Sequence, residues 1–155
     1  MARRNLLTLT LAVATLSLVT GCSLGGGEGG ESGIDDAQFL TELVAPFQED
    51  AEPLGEAGLS ATEGEKTRIV LELDVPPEAP MRADIRSGAC DGPIGLNVQY
   101  PLNDVAEGKS STVLDVGLAE LRRGGYIIVV QRPSEQAEVG GFCGNLSDAV
   151  PAEEF

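Results

Sequence analysis

The chain contains no histidine and no tryptophan, and its aromatic residues are limited to four Phe and two Tyr. Without histidine it lacks the imidazole ligands that copper and zinc redox sites require. It also lacks the usual base that activates serine and cysteine nucleophiles. So few aromatic rings leave little surface on which nucleobases or sugars can stack. These absences disfavour a redox metalloenzyme, a His-dependent hydrolase and a nucleic-acid-binding domain.

Positive charge is also scarce, because 10 Lys and Arg stand against 25 Asp and Glu, for a formal net charge of −15. A surface of this sign repels phosphate backbones and anionic membranes, so we expect no nucleic-acid partner. Adjacent carboxylates such as Glu153-Glu154 arise by chance in so acidic a chain and do not indicate acid–base catalysis. Calcium is the one metal that the composition allows. No Asp-x-Asp-x-Asp-Gly loop occurs, however, and Asp91-Gly92 is more simply a turn. We therefore predict no metal site.

The N-terminal segment has the organisation of a secretory leader. Arg3 and Arg4 precede the apolar stretch 6–19, which is shorter than the roughly 20 residues of a membrane-spanning helix. The leader ends in Leu-Val-Thr-Gly-Cys at 18–22. This run resembles a bacterial lipobox, in which a small residue precedes a cysteine that is lipidated before the chain is cut. The resemblance implies a signal peptide over 1–21 and a diacylglycerol- and palmitate-modified Cys22. A buried core helix is the other interpretation, but a glycine-rich tract follows directly.

Residues 22–33 contain the lipobox cysteine and a glycine-rich tract without apolar periodicity. Ordering so much glycine costs backbone entropy, so we predict a disordered, flexible tether between the lipid and a folded domain. Cleavage removes Arg3 and Arg4, and the loss of these two positive charges changes the formal charge from −15 to −17. We expect a lipoprotein held by its anchor on the extracytoplasmic face of the cell membrane or outer membrane.

The other two cysteines form an even pair once Cys22 is assigned to lipid. In an exported domain, Cys90 and Cys143 are expected to form a disulfide bond. The bridge would close a loop of about 54 residues and stabilise the fold by roughly 4 kcal/mol in chain-entropy estimates. Two separate buried thiols are the alternative.

Short alternating segments separated by turn residues fill the rest of the chain and predict one all-β domain over 34–150, followed by an acidic tail over 151–155. Residues 126–130 are the most apolar segment, which indicates a central strand. Residues 35–48 are ambiguous between a helix and a first strand, and we favour the strand because Pro46 would interrupt a longer helix. A helical turn is predicted at 118–123, and strands at 56–62, 66–74, 81–86, 97–102, 111–116, 126–130 and 141–146. Such a pattern is typical of an antiparallel sandwich.

Four segments in order carry a family resemblance. They lie at 58–62, 83–90, 100–112 and 118–131, with Cys143-Gly144 beyond them. Together they resemble small exported domains of the chordin type (CHRD) and, more loosely, copper/zinc superoxide dismutase sandwiches. The resemblance covers roughly 56–146. It implies an immunoglobulin-like antiparallel β-sandwich in which the Cys90–Cys143 bridge ties a loop to the last strand.

The departures from this family pattern bear on function. The family has Ala-His-Ile-His where this chain has Ala-Asp-Ile-Arg at 83–86, and another histidine where Gln131 stands. A dismutase-like metal site is therefore not expected, and neither is a cofactor. Asp84 and Arg86 fall on one face under strand alternation, where an exposed ion pair is worth about 0–1 kcal/mol. We expect a non-enzymatic module that binds an unidentified protein or small molecule or serves the envelope. An exported enzyme of dismutase-like descent is the alternative.

Overall fold

The computed structural model describes residues 33–48, 51–132 and 141–155. The predicted signal peptide, the lipidated Cys22 and the tether as far as residue 32 lie outside these ranges and stay predictions. Within the described ranges, no helix is long and apolar enough to cross a membrane.

The described residues form nine strands and two short helical segments. The strands are β1 (Phe39–Glu42), β2 (Gly55–Thr62), β3 (Lys66–Leu73), β4 (Arg82–Gly88), β5 (Ile94–Pro101), β6 (Lys109–Leu114), β7 (Tyr126–Gln131), β8 (Gly141–Asn145) and β9 (Val150–Pro151). A 3₁₀ turn at Ile34–Asp36 precedes β1, and the helix α1 covers Leu118–Arg122. The helical turn predicted at 118–123 is therefore confirmed, one residue shorter.

The strands assemble into two antiparallel sheets. One sheet has the order β6-β3-β2-β1-β9, and the other has the order β5-β4-β7-β8. The β2–β3 hairpin keeps continuous register from Gly55 opposite Leu73 to Thr62 opposite Lys66, across a turn at 63–65. The all-β antiparallel sandwich predicted from the sequence is thus confirmed.

The main core lies between the inward faces of the two sheets. Ile69 and Leu71 of β3 project inward at period-two spacing and are essentially unexposed. Ile85 of β4 and Ile128 of β7 meet them in one apolar cluster. Truncating any one of these side chains to alanine removes contacts worth about 2–5 kcal/mol.

β7 is a central strand that is covered on both faces, as its apolar sequence predicted. It lies between β4 and β8, and its other face carries Ile127 and Val129. These two side chains pack with Ile94 and the disulfide between Cys90 and Cys143 in a second cluster. The disulfide bond predicted from the cysteine count is present, with 5.7 Å between the two Cα atoms. It ties the β4–β5 loop to β8.

Several boundaries differ from those predicted; for example, β4 extends to Gly88 and β6 begins at Lys109, each two residues from the predicted position. The ambiguous segment 35–48 contains the favoured strand, but the strand β1 covers only Phe39–Glu42, and the chain turns at Pro46 and Phe47. At the other end, Pro151 pairs with Phe39. The sheet therefore extends one residue into the predicted acidic tail.

Candidate functional site

The two sheets meet along one edge, where the end of β1 contacts β8. Val44 and Cys143 exchange two backbone hydrogen bonds, with N–O distances of 2.9 and 2.8 Å. Gly144 permits this approach, because a Cβ atom at that position would lie 2.9 Å from the carbonyl oxygen of Glu42. The Thr41 hydroxyl donates to a carbonyl of β8 at 3.0 Å. This seam brings residues about 100 positions apart into direct contact.

Asn145 fixes three chain segments around the disulfide. Its Oδ1 accepts a hydrogen bond from the backbone N–H of Cys90 at 3.1 Å. Its Nδ2 donates to Oδ2 of Asp148 at 2.9 Å. The backbone N–H of Phe47 in turn donates to the carbonyl of Cys90 at 3.1 Å. The turn after β1, the β4–β5 loop and the β8–β9 loop are therefore held together at this point.

Two adjoining cavities open beside the disulfide and share Val44, Cys90 and Asn145 as a common wall. Their volumes are about 320 and about 670 Å³. We call them together the disulfide groove. Leu40 and Val150 extend the apolar floor of the smaller cavity. Cavities of this size are in the range of ligand-binding sites.

The rim of the disulfide groove is acidic. Glu42 and Asp148 line the smaller cavity, and Asp91 lines the larger one. All three residues are exposed. Among the described residues, no Lys or Arg lines either cavity. Because a cleft lined by one sign of charge focuses its field, the groove attracts cations.

Half-exposed aromatic rings lie at the two cavities. Phe155 lines the smaller cavity and is 50% exposed, whereas Phe47 lines the larger one and is 55% exposed. Phe47 also has a positive φ of 63°, a conformation that is strained for a bulky side chain and costs about 1–3 kcal/mol. The hydrogen bond to Cys90 holds this conformation. The fold thus presents an aromatic side chain to solvent on strained backbone.

Glu42 occupies a position where its charge destabilises the sheet. It lies directly opposite Glu56 in the β1–β2 pair, and Glu56 lies directly opposite Glu72. Like charges in directly opposed positions repel. The pKa of Glu56 is raised from its ordinary value, first by burial and then by repulsion from Asp74, Glu72 and Glu42.

Asp84 and Arg86, the positions at which the resembled family has histidines, form a largely buried ion pair. Arg86 Nε lies 2.6 Å from Asp84 Oδ1, and Nη2 lies 2.9 Å from Oδ2. The Arg86 side chain is 16% exposed and the Asp84 side chain is 5% exposed. The ion pair is therefore largely buried, whereas the expectation from the sequence concerned an exposed pair. The hydrogen bonding of the Arg86 guanidinium to the Asp84 carboxylate, which accepts, is the largest cause that raises the pKa of Arg86, and burial lowers it.

The third such position, Gln131, lies opposite Arg82, which is two residues from Asp84 along β4 and on the same face of the sheet. Asp84 lies opposite Val129, on the face that carries the disulfide cluster. Within the described ranges, no three or more Asp, Glu, Cys or His side chains are grouped to hold a metal ion.

Few features of the sequence indicate the disulfide groove. The sequence predicts a turn at Asp91, which the structure contains, and it places Phe47 only in a segment that is ambiguous between strand and helix. The groove residues come from three distant segments and share no spacing. The one available signal was the predicted disulfide, which joins two of those segments.

Comparison of the chain with protein-family models and with curated proteins finds no match.

Proposed function

We propose that this protein is a non-enzymatic binding module, anchored by lipid on Cys22 to the extracytoplasmic face of a bacterial membrane, with the disulfide groove as its binding surface. The observation that carries the proposal is the groove itself, which combines an apolar floor, an acidic rim and half-exposed aromatic rings. An intramolecular disulfide supports the exported location, because such bonds persist in oxidising compartments.

The polar groups of the groove favour binding over catalysis. The Thr41 hydroxyl donates to a backbone carbonyl, so its proton is already engaged. The Asp148 carboxylate accepts hydrogen bonds from Asn145 and Ser147. The chain has no histidine that would activate a nucleophile beside them.

Groove binding is tested by blocking the larger cavity. Ala45→Arg places a long side chain in that cavity, and Ala119→Arg makes the same change on the exposed surface of α1. Tagged full-length chains are purified from native membranes, and the retained proteins and small molecules are compared by mass spectrometry. We expect Ala45→Arg, but not Ala119→Arg, to lose the retained component. Equal retention by both variants would contradict a role for the groove.

Lipid anchoring is tested separately with Cys22→Ala. We expect this variant to leave the membrane fraction, either secreted or as unprocessed precursor, and to lose the mass of the acyl chains. Two acyl chains anchor a protein stably where one does not. A processed Cys22→Ala chain that stays in the membrane would show that the anchor is elsewhere.

The alternative of a dismutase-like enzyme is tested by the metal content of the purified chain. Copper or zinc at a stoichiometric level would overturn the non-enzymatic proposal.

A further inference from the structure

We infer that the occupant of the disulfide groove is an extended peptide segment of a partner protein, with Lys or Arg side chains placed between apolar ones. This inference rests on the proposed binding function and specifies the class of ligand.

The charge of the groove selects a cation. Its rim carboxylates come from three separate elements: Glu42 from β1, Asp91 from the β4–β5 loop and Asp148 from the β8–β9 loop. Because no described Lys or Arg lines either cavity, an ammonium or guanidinium group entering the groove meets only complementary charge. Charge-assisted hydrogen bonds to carboxylates are about twice as strong as neutral ones.

The apolar surface next to these carboxylates favours a ligand that carries apolar groups as well as positive charge. Leu40, Val44 and Val150 line the groove together with the rings of Phe47 and Phe155. Exposed aromatic rings are typical anchors of binding interfaces, and their faces also attract Lys and Arg. A ligand that fits both features alternates apolar and basic groups.

The shape of the groove favours an extended ligand over a compact one. The two cavities adjoin at Val44, Cys90 and Asn145 and are open to solvent, so a chain-like ligand can cross from one to the other. A second copy of the same chain fits poorly, because two copies with large negative charges repel each other. The formal charge of the chain is −15, and removal of Arg3 and Arg4 with the signal peptide would make it −17. Anionic lipid is repelled for the same reason.

Two features that reduce the stability of the free protein are also consistent with a basic, partly apolar peptide in the groove. Glu42 faces Glu56 across the β1–β2 pair, and Phe47 holds a positive φ while its ring stays half exposed. Binding sites commonly retain residues that reduce the stability of the free protein. A basic, partly apolar segment would neutralise the charge of Glu42 and cover the ring of Phe47.

The test uses fluorescein-labelled heptapeptides and the full-length chain in neutral detergent. One peptide alternates leucine and lysine, a second leucine and glutamate, and a third serine and lysine. Binding is followed by fluorescence anisotropy. We expect the leucine–lysine peptide to bind, the leucine–glutamate peptide not to bind, and the serine–lysine peptide to bind more weakly. Equal binding of both lysine peptides would show non-specific charge attraction and overturn the inference.

Glu42→Gln locates the site and separates binding from folding. We expect it to weaken binding of the leucine–lysine peptide about fivefold, the effect of an exposed ion pair worth about 1 kcal/mol. The same variant should melt at a higher temperature, because it relieves repulsion of Glu56. Glu63→Gln, which removes an identical charge in the β2–β3 turn, should leave binding unchanged. Equal losses in both variants would contradict a groove site.

The two proposals fail in distinguishable ways. If no lysine peptide binds but Ala45→Arg still loses a retained component from native membranes, the groove binds something else and only the ligand class is wrong. If Ala45→Arg loses nothing and no peptide binds, the binding function is wrong as well. If phosphatidylglycerol co-purifies with the wild-type chain from native membranes and is lost from Ala45→Arg, the occupant is lipid and the peptide assignment is wrong.

Discussion

Removing one partner of the Asp84–Arg86 pair is expected to destabilise the domain far more than an exposed ion pair would. Arg86→Met deletes both hydrogen bonds, at 2.6 and 2.9 Å, and leaves a carboxylate whose side chain is only 5% exposed. Breaking a buried pair in this way costs about 3–5 kcal/mol. An exposed pair would cost about 0–1 kcal/mol. The structure therefore predicts the larger loss.

The measurement is urea unfolding of the oxidised protein, and the matched control is the double variant Asp84→Leu with Arg86→Met. Replacing both charges by apolar side chains removes the unpaired carboxylate, so we expect the double variant to recover most of the loss. A single-variant loss below about 1 kcal/mol would refute the burial argument. So would a double variant as unstable as Arg86→Met, since the loss would then come from packing rather than from the unpaired charge.

Three further predictions concern stability. Glu56→Gln should be more stable than the wild type at neutral pH by about 0.5 kcal/mol. The folded pKa of Glu56 is raised above its ordinary value of 4.5, so this carboxylate takes up a proton and the wild type regains stability as the pH falls towards 4.5. Below pH 4.5, thermal melts at stepped pH should show no difference in stability between the wild type and Glu56→Gln. Reducing the disulfide should lower the free energy of unfolding by about 2–5 kcal/mol in urea titrations with and without reductant; an unchanged midpoint would contradict this. Gly144→Ala, whose Cβ would lie 2.9 Å from a backbone oxygen, should destabilise by about 1–3 kcal/mol. Gly92→Ala, with its nearest neighbour at 3.6 Å, should not; similar losses in both would refute the close-approach argument.

The sequence predicted the features that depend on local alternation and on cysteine number. Ile69 and Leu71 alternate with polar neighbours, and their strand lies where that pattern indicated. The disulfide could be predicted because an even number of cysteines, two, remains once Cys22 is assigned to lipid. The strand β5 begins at Ile94, three residues earlier than predicted, because it pairs with β4 through register shifts that leave no periodic signal.

Features that depend on contacts between residues far apart in the chain could not be predicted from the sequence. Alternation placed Asp84 and Arg86 on one face, but their burial depends on the packing around β4 and on no property of the two residues themselves. The groove depends on the backbone bridge between Val44 and Cys143. No spacing rule predicts such a bridge, because it joins two sheets rather than neighbouring strands.

Site-specific photo-crosslinking can show directly whether a partner protein occupies the disulfide groove. Phe47 is replaced by p-benzoyl-L-phenylalanine, an aromatic substitute for the ring in the groove, and Leu96, which is 91% exposed on β5, is replaced in a matched control. Both full-length chains are irradiated in their native membrane. We expect a discrete adduct with a partner protein from position 47 and none from position 96. Adducts from position 96 alone, or equally from both positions, would contradict binding in the disulfide groove.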